Sequence, residues 1–171
     1  MLQVKAGQLA AMRALFERHR RPLLGFLLRM CKQRALSEDL LQMTFERMIR
    51  YRQSYREGKS FRSWMYQIAR NLWLDHCKEK KLPIDDQVDF KLLPLFSPAV
   101  DVALEKREQL RILEEAVIRL KPSYREVLLL VWKEQMPYAE VGAVLGISES
   151  NVKVRMHRAL QQLKRWHQTQ K

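Results

Sequence analysis

Between positions 50 and 73 the chain interleaves Tyr51, Tyr55, Phe61, Trp64, Tyr66 and Trp73 with Arg50, Arg52, Arg56, Lys59, Arg62 and Arg70. Rings of this kind stack on unpaired bases while neighbouring cations track phosphates, so the pattern points to a strand whose bases are unstacked. Phe61 and Trp64 also fit the buried face of a helix. Tyr55 lies in a polar loop, 52–59, where exposure is expected.

A second pattern lies at 137–155, PYAEVGAVLGISESNVKVR. A short helix with small inward residues ends at Gly146, which enters a left-handed turn at little cost. Ile147 fills the space beneath the turn, and Ser148 is placed to cap a second helix. That helix turns Val152, Met156, Ala159, Leu160 and Leu163 inward and Ser150, Asn151, Lys153, Arg155 and Arg158 outward. Apolar residues on one side with polar and basic ones at the helix start suit a recognition helix in the major groove of duplex DNA.

No catalytic constellation accompanies these patterns. His19, His76, His157 and His167 are scattered along basic segments, without HExxH, a phosphate-binding GxxxxGK[ST] or GxSxG. Cys31 and Cys77 lack metal-type spacing, so no metal, cofactor or catalytic residue is expected. Apolar runs stop near seven residues, against roughly 18 for a membrane span. With no export signal and two unpaired cysteines, a reducing, cytoplasmic setting is expected.

The elements that carry both patterns follow from composition. In 171 residues there are only 5 Gly, 6 Pro and two threonines, Thr44 and Thr169, against 47% hydrophobic residues, which favours an all-α fold. Net charge is +13, and it is unevenly placed: +11 over 1–81, −4 over 82–105 and +6 over 106–171. Two basic blocks around an acidic stretch predict two small helical domains facing a polyanion, joined by a flexible acidic linker. Pro83 and Pro94 set that linker at 82–97, leaving domains at 1–81 and 98–171. In the first domain, helices are expected from Leu9 to about Lys32 with a break or kink at Pro22, from an N-cap at Ser37 to Tyr51, and from an N-cap at Ser60 to about Lys81. In the second, a helix over 98–120 turns Val102, Leu110, Leu113, Val117 and Leu120 inward, and a short apolar helix over 124–134 forms the centre.

Taken together, SEDLLQMTF at 37–45, FRSWMYQIARNLWLD at 61–75 and the helix-turn-helix at 138–163 resemble, in order, three motifs of the extracytoplasmic-function group of bacterial sigma factors. The resemblance covers nearly the whole chain. It implies a promoter-specificity subunit of RNA polymerase with no enzymatic activity. By position, Asp39, Gln42, Phe45, Glu46 and Arg47 would dock on the coiled coil of the polymerase β′ subunit, with the β subunit also in contact. Asn71 would capture a base flipped from the non-template strand, with Tyr55 in the flanking loop and Lys59, Arg62, Arg70 and Lys78 on the melted downstream element. The C-terminal helix would read the upstream promoter element, and an anti-sigma factor is the implied regulatory partner. Met43, Asn151 and Val154 depart from the family's usual residues. A dimeric repressor or activator would use the C-terminal pattern but leave the aromatic segment idle. A nuclease would need a carboxylate cluster for divalent metal.

Overall fold

The computed structural model describes residues 1–80 and 104–169, except the side chains of 104–108, 167 and 169. The expected linker at 82–97, the helix start near Pro98 and the inward position of Val102 lie outside the described residues. The described residues form helices: α1 (Leu2–Lys5), α2 (Ala11–Cys31), α3 (Arg34–Arg50), α4 (Phe61–Glu79), α5 (Leu104–Arg119), α6 (Pro122–Leu128), α7 (Tyr138–Leu145) and α8 (Glu149–Thr169). A 3-10 turn, Arg52–Ser54, follows α3, and a π turn, Leu129–Lys133, continues α6.

In the N-terminal domain α2, α3 and α4 meet around Leu23, Leu27, Met48, Met65 and Tyr66, all of them buried. Helix α2 runs through Pro22 without a break. Both Pro22 and Arg18, whose carbonyl loses its intrahelical donor, face solvent, so water can satisfy that oxygen. Helix α3 begins at Arg34 rather than at an N-cap on Ser37. Lys32 turns left-handed (φ 56°) to end α2, and extended Gln33 restarts the chain. Ser37 is thereby drawn inside the helix, fully buried, its hydroxyl donating to the Gln33 carbonyl at 2.6 Å. The Ser60 cap does form, accepting the Ser63 amide at 3.3 Å.

The C-terminal domain gathers α5 to α8 around Val127, Leu130, Val141 and Val152. Two expected core positions turn outward: Leu113 is 36% and Leu160 50% exposed. Leu160 lies at the edge of the α8 apolar stripe, about 40° beyond Met156. Between α6 and α7 the π turn closes with the Glu134 amide donating to the Leu129 carbonyl at 2.9 Å. The Glu134 side chain is buried there.

Candidate nucleic-acid interface

The solvent face of α3 holds Asp39, Gln42, Met43, Glu46 and Arg50, all exposed. Their spacing of three, four and seven residues puts them within one third of the helix circumference. Gln42 donates to Glu46 at 2.8 Å, and half-exposed Arg47 pairs with Asp75 of α4 at 3.8 Å. Phe45 does not join them. It is 6% exposed and packs edge-on against Phe16, ring centroids 5.0 Å apart, so it supports this face from below. Met43, an apolar residue among polar and charged ones, is exposed on this face.

Helix α4 presents two surfaces of different character. Gln67, Asn71 and Lys78 are exposed on one side, Lys78 two turns beyond Asn71. The Asn71 amide makes no side-chain hydrogen bond among the described residues, so donor and acceptor are both available. Lys59 and Arg56 project from the preceding loop. Tyr55 contradicts the expectation of exposure: only 8% is accessible, its ring lies against Trp64 (5.3 Å) and Phe61 (6.4 Å), and its hydroxyl donates to the Lys59 carbonyl at 2.9 Å. A polar loop hides this ring because the helix beneath offers two aromatic faces. Tyr51, by contrast, is exposed.

The adjoining side of α4, about 80–100° round from Asn71 at Ser63 and Arg70 and opposite it only at Arg62, meets the C-terminal domain. Arg70 pairs with Glu126 at 2.9 Å, Arg62 with Glu134 at 3.3 Å and with its carbonyl, and the Ser63 hydroxyl donates to Glu140 at 2.6 Å. Behind them Arg29 pairs with Glu114 at 2.7 Å, both side chains buried, and Arg125 donates to the Arg29 carbonyl at 3.0 Å. Burial pushes the Glu114 carboxyl up while Arg29 pulls it down. Burial, then the Glu134 carboxylate, raises the Tyr66 phenol at the same seam. Hydrogen bonds from Ser60 and Ser63 hold the Glu140 carboxyl below the usual range. Arg62 and Arg70 are thus engaged by carboxylates in this arrangement, whereas Lys59, Asn71 and Lys78 are open.

In the helix-turn-helix, Gly146 adopts φ 68°, ψ 34°, and the Ile147 amide returns to the Gly142 carbonyl at 3.0 Å. Gly142 was not singled out from sequence, yet a Cβ there would sit 2.8 Å from the Ile147 carbonyl oxygen. Only glycine lets the turn close so tightly. Ser148 caps α8, accepting the Asn151 amide at 3.2 Å. Ser150, Asn151, Lys153, Val154 and Arg158 are exposed beyond it, while Val152, Met156 and Ala159 are buried. Glu149, 2.7 Å from Lys153, holds that ammonium above the usual lysine range by hydrogen bond and charge. Arg155 is half-buried, bonded to the Asn151 side-chain oxygen at 3.2 Å and lying 3.9 Å from Glu126. Val154, an exposed aliphatic group here, suits contact with a thymine methyl.

Among the described residues no group of three or more His, Cys, Asp or Glu could hold a metal ion, and no helix is long and apolar enough to cross a membrane. Burial pushes the Cys31 thiol up to about 12, far from thiolate reactivity.

Residues 15–82 match the family model for Sigma-70 region 2, and residues 110–163 match that for Sigma-70, region 4. The chain is 35% identical to the ECF RNA polymerase sigma factor SigM of Bacillus subtilis over 81% of its own length and 84% of that protein. It is 33% identical to the RNA polymerase sigma factor CarQ of Myxococcus xanthus over 96% and 93%. Its fold is shared by CnrH, solved with the cytosolic domain of CnrY (TM-score 0.74, 22% identity, covering 99% of this chain and 96% of that one). The sigma factor RpoE of Bartonella quintana, solved with the anti-sigma factor NepR, is equally similar (TM-score 0.72, 20% identity, all of both chains). The chain therefore belongs to the extracytoplasmic-function sigma factors, specificity subunits rather than enzymes, which bind core RNA polymerase and direct transcription initiation.

Proposed function

We propose that the C-terminal helix-turn-helix reads the upstream promoter element and that the N-terminal domain melts the downstream one. The carrying observation is the pair of surfaces on α4: an open Asn71–Lys78 face, and round the helix from it arginines held by carboxylates. Asn71 reads a flipped non-template base, and Lys59 and Lys78 follow the backbone. Arg62 and Arg70 join them when phosphates replace Glu134 and Glu126. Tyr55 serves as a wall that shapes the loop rather than as a stacking surface. Ser150, Asn151, Lys153 and Arg158 contact the duplex, and Arg155 turns from Glu126 to DNA. Asp39, Gln42, Met43, Glu46 and Arg47 dock on the β′ coiled coil, supported by Phe45, and the β subunit completes the polymerase contact. The domain bounds are 1–81 and 98–171 around the acidic segment 82–97. An anti-sigma factor is the regulatory partner, a reading supported by the likeness to a sigma factor solved with one.

Unstacking a base costs a few kcal/mol, so capture contacts must offset most of it. In transcription with core polymerase, Asn71→Ala should lose activity on fully duplex promoters and regain it on a pre-melted bubble, with polymerase binding unchanged. Equal activity loss on both templates, or none on either, would remove Asn71 from melting.

A further inference from the structure

The family's shared N-terminal region begins at residue 15, yet the segment before it is tied to the loop beside the base-reading face. Val4 is fully buried in the core of the N-terminal domain. From the same helical turn the Lys5 ammonium donates to the Tyr55 carbonyl at 2.8 Å, and the Gln53 amide donates to the Lys5 carbonyl at 3.1 Å. Two hydrogen bonds, between partners 50 and 48 residues apart in sequence, thus join α1 to the loop at 52–59.

Within the loop, the Ser54 and Tyr55 amides donate to the Tyr51 and Arg52 carbonyls, and the Lys59 amide donates to the Arg56 carbonyl at 3.2 Å. Arg56, Glu57, Gly58 and Lys59 are exposed, and Gly58 stands at φ 77°. What holds its far end is Tyr55, by its ring on Trp64 and its hydroxyl on the Lys59 carbonyl. Trp64 lies two turns before Asn71 and, at 100° per residue, only about 20° away around α4. The path of contact is therefore short: Lys5 to the Tyr55 backbone, the Tyr55 side chain to Lys59 and Trp64, and Trp64 to the face that bears Asn71.

We propose that α1 is a clamp on this loop and that Lys5 is a positioning residue for base capture. It touches no DNA. By neutralising the partial charge of the Tyr55 carbonyl it fixes the residue whose hydroxyl sets Lys59, so that the loop stands ready over the captured base. Ordering the loop before DNA arrives removes an entropy cost from the melting step. The inference rests on the assignment of Asn71 as the base reader.

The experiment uses holoenzyme formed with core polymerase, on duplex promoters that carry each of the four bases at the captured position and on the pre-melted bubble. Lys5→Ala and Gln53→Ala each cut one tie, Lys5→Arg keeps the cation, and Asn71→Ala is run alongside. Lys5→Ala should lower open-complex formation on the preferred duplex and its discrimination among bases by about tenfold, the ratio for losing about 1.4 kcal/mol of a charge-assisted hydrogen bond. The bubble should restore its yield, Lys5→Arg should retain most of the activity, and polymerase affinity should not change. On an Asn71→Ala background, Lys5→Ala should add little, because both act on one event. Wild-type discrimination in Lys5→Ala, with Asn71→Ala defective, overturns the clamp alone. An Asn71→Ala variant that melts normally overturns the base-reading assignment and the clamp with it. A Lys5→Ala loss of equal size on duplex and bubble also overturns the clamp, since it would reflect general destabilisation.

Discussion

Replacing Glu114 by Ala should loosen the contact between the two domains by an amount the structure sets. The Arg29 guanidinium lies 2.7 Å from the Glu114 carboxylate, with 7% and 8% of the two side chains accessible. Removing one partner of a buried pair takes that counter-ion from the other charge and costs up to about 3–5 kcal/mol. Arg29 keeps its bond to the Gly25 carbonyl at 2.8 Å, which places the expected loss near the lower end, about 3 kcal/mol. In urea, with a slope of about 2 kcal/mol/M, the unfolding midpoint should fall by about 1.5 M. The control replaces both partners, Arg29→Met with Glu114→Leu. Because the desolvation cost vanishes with both charges, the double variant should recover most of the stability. A Glu114→Ala midpoint within about 0.3 M of the parent, roughly 0.6 kcal/mol on that slope, would refute the reasoning and with it the buried seam between the domains.

Three further outcomes are expected. Glu126→Gln should raise the affinity of the free protein for duplex DNA and steepen its salt dependence by about one unit, because the carboxylate beside Arg70 and Arg155 is gone; equilibrium titration across salt concentrations reads this. Gly142→Ala should destabilise the helix-turn-helix by about 1–3 kcal/mol, since the new Cβ meets backbone at 2.8 Å, and hydrogen exchange localised to α7 and α8 should report it with loss of upstream-element binding. Glu140 has its carboxyl pKa depressed in the folded state, so its contribution is present above the unfolded value of about 4.5 and is lost as pH falls through the lower folded value; acid titration of Glu140→Gln should lack that part of the stability change.

Local rules carried most of the helices from the sequence. Gly146 needed a left-handed turn, Ser148 and Ser60 had a free amide three residues on, and the apolar spacing of 152, 156 and 159 marked one inward stripe; all three hold in the fold. These features depend on a few neighbouring residues, so they can be read without knowing what lies across the chain. On α8 the outward positions Ser150, Asn151, Lys153 and Arg158 were legible for the same reason, whereas Arg155 is half-buried and Asn71 on α4 came only from the family resemblance.

What neighbours in space determine was not legible. Tyr55 lies in a polar loop, and only the positions of Trp64 and Phe61 decide that its ring is buried. Phe45 sits in the docking motif, but Phe16 of another helix draws it inward. Ser37 has the residue type of a cap, yet the left-handed Lys32 moves the helix start upstream and buries it. Gly142 differs from any other small residue only through the approach of the Ile147 carbonyl. Arg62 and Arg70 are recognisable as cations from sequence, but their pairing with Glu134 and Glu126 joins residues more than fifty positions apart. Residue order within a turn or two of chain sets the helices, the caps at Ser60 and Ser148 and the chemistry each exposed face can offer, so these could be read locally. Tertiary structure alone decided which of those side chains are free to meet DNA, because burial and charge pairing depend on contacts that no local pattern encodes.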